Sequence, residues 1–168
     1  MRQAEDKDHN ASDFDPAEKQ KIQRANQIFL RLRKELHDRE TGFSERDVRE
    51  AAQGARWLRE IIEMYPGGWE QAYEAALAES GLAGEDEDYL RRGVREAGGF
   101  LPFAQNNLRR LEGAAPGERE QTGDPVAETT RQDFLCGVAA SIVAGGVMTG
   151  NSFYFGFGVG MLRKADCW

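Results

Sequence analysis

From Phe134 to Leu162 the chain runs for 29 residues without a single charged side chain, although 30% of all its residues are charged. Arg131 and Asp133 stand before this run and Arg163 and Lys164 after it. Apolar surface of that extent is driven out of water, so it must be covered by lipid, by another polypeptide or by the rest of the chain. As one helix it would reach roughly 43 Å, more than the roughly 30 Å of a bilayer's hydrocarbon core. Its drive to insert is weak, however. Between Phe134 and Phe153 the strongly apolar residues are Phe134, Leu135, Val138, Ile142, Val143, Val147 and Phe153, together about −2 to −4 kcal/mol before Asn151 and the glycines subtract.

Small residues recur through the run at helical spacing. Gly137, Ser141, Gly145 and Thr149 fall four apart, and Gly146 with Gly150 and Gly156 with Gly160 each form a Gly-x-x-x-Gly pair. On a helix such spacing lets a second backbone approach closely, so the expected site is a helix-packing face in a membrane or an assembly. A strand reading competes over "SFYFGFGVGML", where aromatic and aliphatic residues alternate with Gly156, Gly158 and Gly160 after a turn at Thr149-Gly150-Asn151-Ser152. A third reading makes the run a core element of the same globule. The expectation taken here is a separate segment, residues 132–168, that spans or enters a membrane as helix or hairpin.

The charged part reads as helices. Asp15, Pro16 and Glu18 form a helix start before a stripe of Ile22, Ala25, Ile28, Phe29, Leu32 and Leu36, and Gly42 is placed to end it. Ser44 and Asp47 open a second helix, with Phe43 and Val48 as a hydrophobic staple and Pro66-Gly67-Gly68 as its end. A third helix starts at Trp69 and stops at Gly81. A fourth follows the acidic run Glu85–Asp88, and Gly98, Gly99 and Pro102 break it before a short last helix through Phe103, Leu108 and Leu111. The fold class is therefore mainly α: a flexible tail over 1–13, an acidic bundle of four to five helices over 14–112, a linker over 113–131, then the apolar segment. That linker contains no large apolar residue except Val126 and is expected to stay unstructured.

Charge and motifs narrow the function classes. Residues 1–112 hold 23 acidic and 18 basic side chains, well mixed in sign, which offers no positive stripe for a phosphate backbone, so nucleic acid is not an expected partner. The acidic run lacks the spaced ligands of a calcium loop and reads as a solvated helix start. Trp57, Tyr65, Trp69 and Tyr73 read as packing between the second and third helices. No nucleophile elbow, phosphate loop or zinc-helix motif is present; no enzyme, cofactor or metal is expected. Cys136 and Cys167 flank the run and read as free thiols in a reducing cytoplasm, or as a disulfide if the segment meets an oxidising compartment. Arg outnumbers Lys by 17 to 5, the usage of a GC-rich, bacterial genome. The expected function is a non-enzymatic, membrane-associated interaction or assembly protein, with the bundle on the cytoplasmic side. Its partners would be membrane lipid and a protein partner or a second copy. An accessory subunit of a larger membrane or viral assembly fits the same features.

The last three dozen residues also resemble the glycine-rich bacteriocins: a Gly-rich apolar tail, Cys136 and Cys167 near its ends, and Gly145-Gly146 in the form of a double-glycine cleavage site with Leu135 and Val143 upstream. That resemblance implies a secreted, membrane-active peptide with the bundle as leader, closed by a Cys136–Cys167 disulfide. The acidic residue usual before such a site is absent, and cutting after Gly146 would discard Cys136.

Overall fold

The computed structural model describes residues 14–38, 44–65, 67–82, 84–113 and 128–168. The expected tail over 1–13, most of the expected linker, and Gly42, Phe43 and Pro66 lie outside these residues. Seven helices make up the rest: α1 (Pro16–Asp38), α2 (Glu45–Met64), α3 (Trp69–Ser80), α4 (Glu85–Ala97), α5 (Phe100–Glu112), α6 (Glu128–Thr149) and α7 (Ser152–Lys164). No strand occurs among the described residues.

Local chemistry explains the starts and stops. At α1 the Asp15 carboxylate accepts from the Glu18 amide at 2.8 Å while Glu18 Oε1 accepts from the Asp15 amide at 2.9 Å. Ser44 and Asp47 close the same box at α2. The first amides of α5 have no local side-chain cap. Instead Glu70, from α3, accepts from the amides of Phe100 and Leu101 at 2.7 and 3.2 Å, as a carboxylate should at the positive end of a helix. Gly99 makes room for it: its φ is +133°, and a methyl group there would stand 2.9 Å from Glu70 Oε1. Pro102 does not break the chain as expected. It lies in the first turn of α5, where a missing N–H costs nothing.

The apolar run is where expectation and structure part. It forms a helical hairpin, and that hairpin is the core. Every residue of α6 from Phe134 to Met148 except Leu135 is buried, and α6 packs on α1, α2, α3, α5 and α7. Segment 132–168 is thus not a separate appendage; it shares one hydrophobic core with Phe29, Leu58, Trp69, Phe100 and Leu108 of the helices ahead of it. A helix apolar on all sides needs cover on all sides, and the amphipathic stripes of α1, α2 and α5 supply it. The strand reading of "SFYFGFGVGML" is likewise overturned by α7, and helix begins at Glu128, inside the expected linker. The predicted turn is there: Gly150 takes a left-handed φ of +66°, and the Asn151 side chain caps the Tyr154 amide at 3.0 Å. Among the described residues no helix is long and apolar enough to cross a membrane.

Outside the core, α2 and α5 are clamped by charge. Glu112 receives Arg59 through two hydrogen bonds of 2.6 and 2.8 Å and Arg56 through one of 3.1 Å. The hydrogen bond from Arg59 holds the Glu112 carboxyl below the usual carboxylate range, against the opposing effect of burial. A depressed folded pKa adds stability that is present above the unfolded value and fades as pH falls through the folded one. Replacing Glu112 by Gln is therefore expected to cost about 1–3 kcal/mol at neutral pH, and the gap from wild type should close as urea titrations are taken below about pH 4. A gap that stays constant with pH would show that the clamp does not act through charge.

Candidate functional site

The glycines expected to form one packing face are divided between two environments. A methyl group added to Gly137 would stand 3.2 Å from Leu111 of α5, one on Gly145 would meet Asn26 of α1, and one on Gly146 would come within 2.7 Å of the Phe155 backbone in α7. The Ser141 hydroxyl is buried and donates to the Gly137 carbonyl at 2.7 Å; that of Thr149 donates to the Gly145 carbonyl at 2.9 Å. These small residues let neighbouring helices close on α6 within one chain. Gly156 and Gly160 differ: nothing lies within 4 Å of where a methyl group on either would sit. Gly150 also has open space, at the turn.

The outward glycines border a seam. One end of it is lined by Ile22, Asn26 and Leu30 of α1, Met148 of α6 and Tyr154 of α7; the other by Arg33, Leu135, Phe157 and Met161. The numbering shows that α1 and α7 run in the same sense, with α6 opposed and beneath them. The first end encloses about 360 Å³ and the second about 470 Å³. At the first end the Tyr154 hydroxyl donates to the Asn26 carbonyl at 3.1 Å, and burial pushes the Tyr154 phenol far above its ordinary pKa.

Arg33 and Lys164 are the cations of the second end. The Arg33 guanidinium lies 4.4 Å over the Phe157 ring, and its buried Nε has no hydrogen-bond partner. Among the described residues no carboxylate pairs with Arg33 or Lys164. Arg163, next in sequence, turns away to bind Asp86 at 2.6 Å and Glu85. That accounts for part of the acidic run: it starts α4 and also holds the end of α7. The faces beside the seam carry two of the three exposed large apolar residues, Leu30 at 44% exposure and Phe153 at 74%. Phe153 meets Phe157 edge to face, with centroids 4.6 Å apart.

Among the described residues, those lining the second end include no carboxylate, thiol or imidazole. They can hold an apolar group and an anion. Among the described residues no group of three or more His, Cys, Asp or Glu could hold a metal ion. Cys136 and Cys167 are joined in a disulfide, with Cα atoms 5.7 Å apart, so the reading as free thiols is corrected. Gly145 and Gly146 are buried in the last two turns of α6, and a protease could reach the bond after Gly146 only once the core had opened. Sequence reasoning missed Arg33, Phe157 and Lys164. One signal was available: Arg33 stands four residues after Phe29, at the edge of the apolar stripe of α1. No protein-family model, curated protein or solved structure matches the chain.

Proposed function

We propose that the chain is a non-enzymatic, membrane-associated interaction protein that meets an anionic lipid surface through the α1–α7 seam. The observation that carries this reading is a coincidence on one face. Phe153 and Leu30 are exposed there, Gly156 and Gly160 leave the helix surface bare, and the cations Arg33 and Lys164 have no carboxylate partner among the described residues, in a chain of net charge −7. Aromatic residues that seat in the interfacial layer, backed by cations, give surface attachment of moderate strength. Each cation near anionic lipid adds about 1 kcal/mol. The disulfide supports an oxidising compartment as the place where the protein works, in preference to the cytoplasm.

The test is co-sedimentation with large vesicles. Binding is expected to vesicles containing phosphatidylglycerol, with little to phosphatidylcholine alone, and it should weaken at high salt. Phe153→Asp should reduce binding about tenfold or more, since a charged side chain replaces an apolar one at the interface. Protein that stays in the supernatant with anionic vesicles would overturn the proposal.

A further inference from the structure

We infer that the second end of the seam is a binding site for one single-chain anionic amphiphile, a carboxylate with an unbranched alkyl tail. This rests on the reading of the seam as the working face and names what it takes up. Its volume of about 470 Å³ lies in the range of small-molecule pockets, which are mostly apolar with a few placed polar groups. Leu135, Phe157 and Met161 provide the apolar wall. Arg33 provides the polar group: its guanidinium lies over the Phe157 ring at the pocket, and its buried Nε has no hydrogen-bond partner among the described residues. A guanidinium offers paired N–H groups in the geometry of a carboxylate, and Lys164 adds a second charge at the rim.

Volume decides between an alkyl chain and a peptide helix. Two turns of a helix about 10 Å across fill roughly 800 Å³, more than the pocket's volume of about 470 Å³, whereas a single alkyl chain folded against Leu135, Phe157 and Met161 fits within it. The charge of the headgroup follows from the lining. An acidic protein repels anions in general, and among the described residues the charged groups that line the pocket are the two cations.

The experiment is calorimetric titration of the intact, disulfide-bonded protein with decanoate below its micelle concentration and with no vesicles present. Decan-1-ol and decyltrimethylammonium serve as uncharged and cationic comparators. Saturable, single-site binding of decanoate is expected, with both comparators weaker by about tenfold or more. Arg33→Gln should weaken decanoate about tenfold. Gly160→Phe should abolish binding without lowering the melting temperature, because the added ring enters open space; Gly156→Leu is the second variant should the first melt early. No saturable binding, equal binding of the ammonium compound, or unimpaired binding by both pocket-filling variants would overturn the inference. Decanoate binding by a protein that ignores vesicles would leave this site standing and remove the membrane reading; vesicle binding without decanoate binding would do the reverse.

Discussion

Replacing Gly146 or Gly158 by Ala is expected to lower the unfolding free energy by about 1–3 kcal/mol each, while the same change at Gly156 or Gly160 raises it by up to about 1 kcal/mol. All four glycines lie within α6 and α7, so local helix propensity favours Ala at each. Packing reverses the sign at the first two. A methyl group on Gly146 would lie 2.7 Å from the backbone N and Cα of Phe155, and one on Gly158 would lie 2.8 Å from the Val143 amide and a Val143 methyl. A flexible side chain could swing aside, but backbone cannot, so the two helices would have to separate. Leu at Gly146 should cost more still and is expected to prevent folding of the hairpin. At Gly156 and Gly160 the space is open, and only the propensity gain remains. Urea or thermal unfolding of the four Ala variants checks the contrast; four changes of one sign would mean that α6 and α7 do not meet as described.

That contrast also measures how far the sequence could be read. Helix starts were legible because their chemistry is local: the Asp15–Glu18 and Ser44–Asp47 pairs act within three residues, and Gly81 and Gly98 take the left-handed stops. The cover of α6 was not legible. A run apolar on every side has no periodicity to show which neighbours it needs, and a buried helix and a membrane span satisfy the same pattern. Amphipathic stripes alone are compatible with a bundle in which they cover one another. In the structure they form a shell, and Gly137, Gly145 and Gly146 are small because Leu111, Asn26 and Phe155 press on them. The seam was hidden for a related reason. Arg33 and Phe157 are separated by more than a hundred residues, and only the sense in which α1 and α7 flank α6 brings them together.

Breaking the disulfide should destabilise the whole molecule. The bond joins residues 31 apart in sequence, and closing a loop of that length restricts the unfolded chain by about 3–4 kcal/mol in the chain-entropy account. Cys136→Ser with Cys167→Ser is therefore expected to lose about that much stability, a large share of what a domain of this size has. The loss should be visible as well as measurable, because Trp168 adjoins Cys167. Its indole stacks on Tyr89 with ring centroids 4.9 Å apart, and its Nε1 donates to the Tyr89 carbonyl at 2.9 Å. Its amide donates to the Tyr89 hydroxyl at 2.8 Å, and its carbonyl accepts from Arg92 at 3.1 Å. The ring also covers Gly93, where a methyl group would come within 2.4 Å of it. Without the covalent tie these contacts must hold the end of the described chain unaided, and stacked aromatic pairs add only about 0.5–1.5 kcal/mol beyond burial. The serine variant, and wild type in dithiothreitol, should show red-shifted tryptophan emission at denaturant concentrations where the oxidised protein is still native. Trp168→Phe in the reduced background should remove that early change while leaving the main transition in place. An unfolding midpoint unmoved by dithiothreitol would show instead that the α6–α7 hairpin holds its two ends together by packing alone.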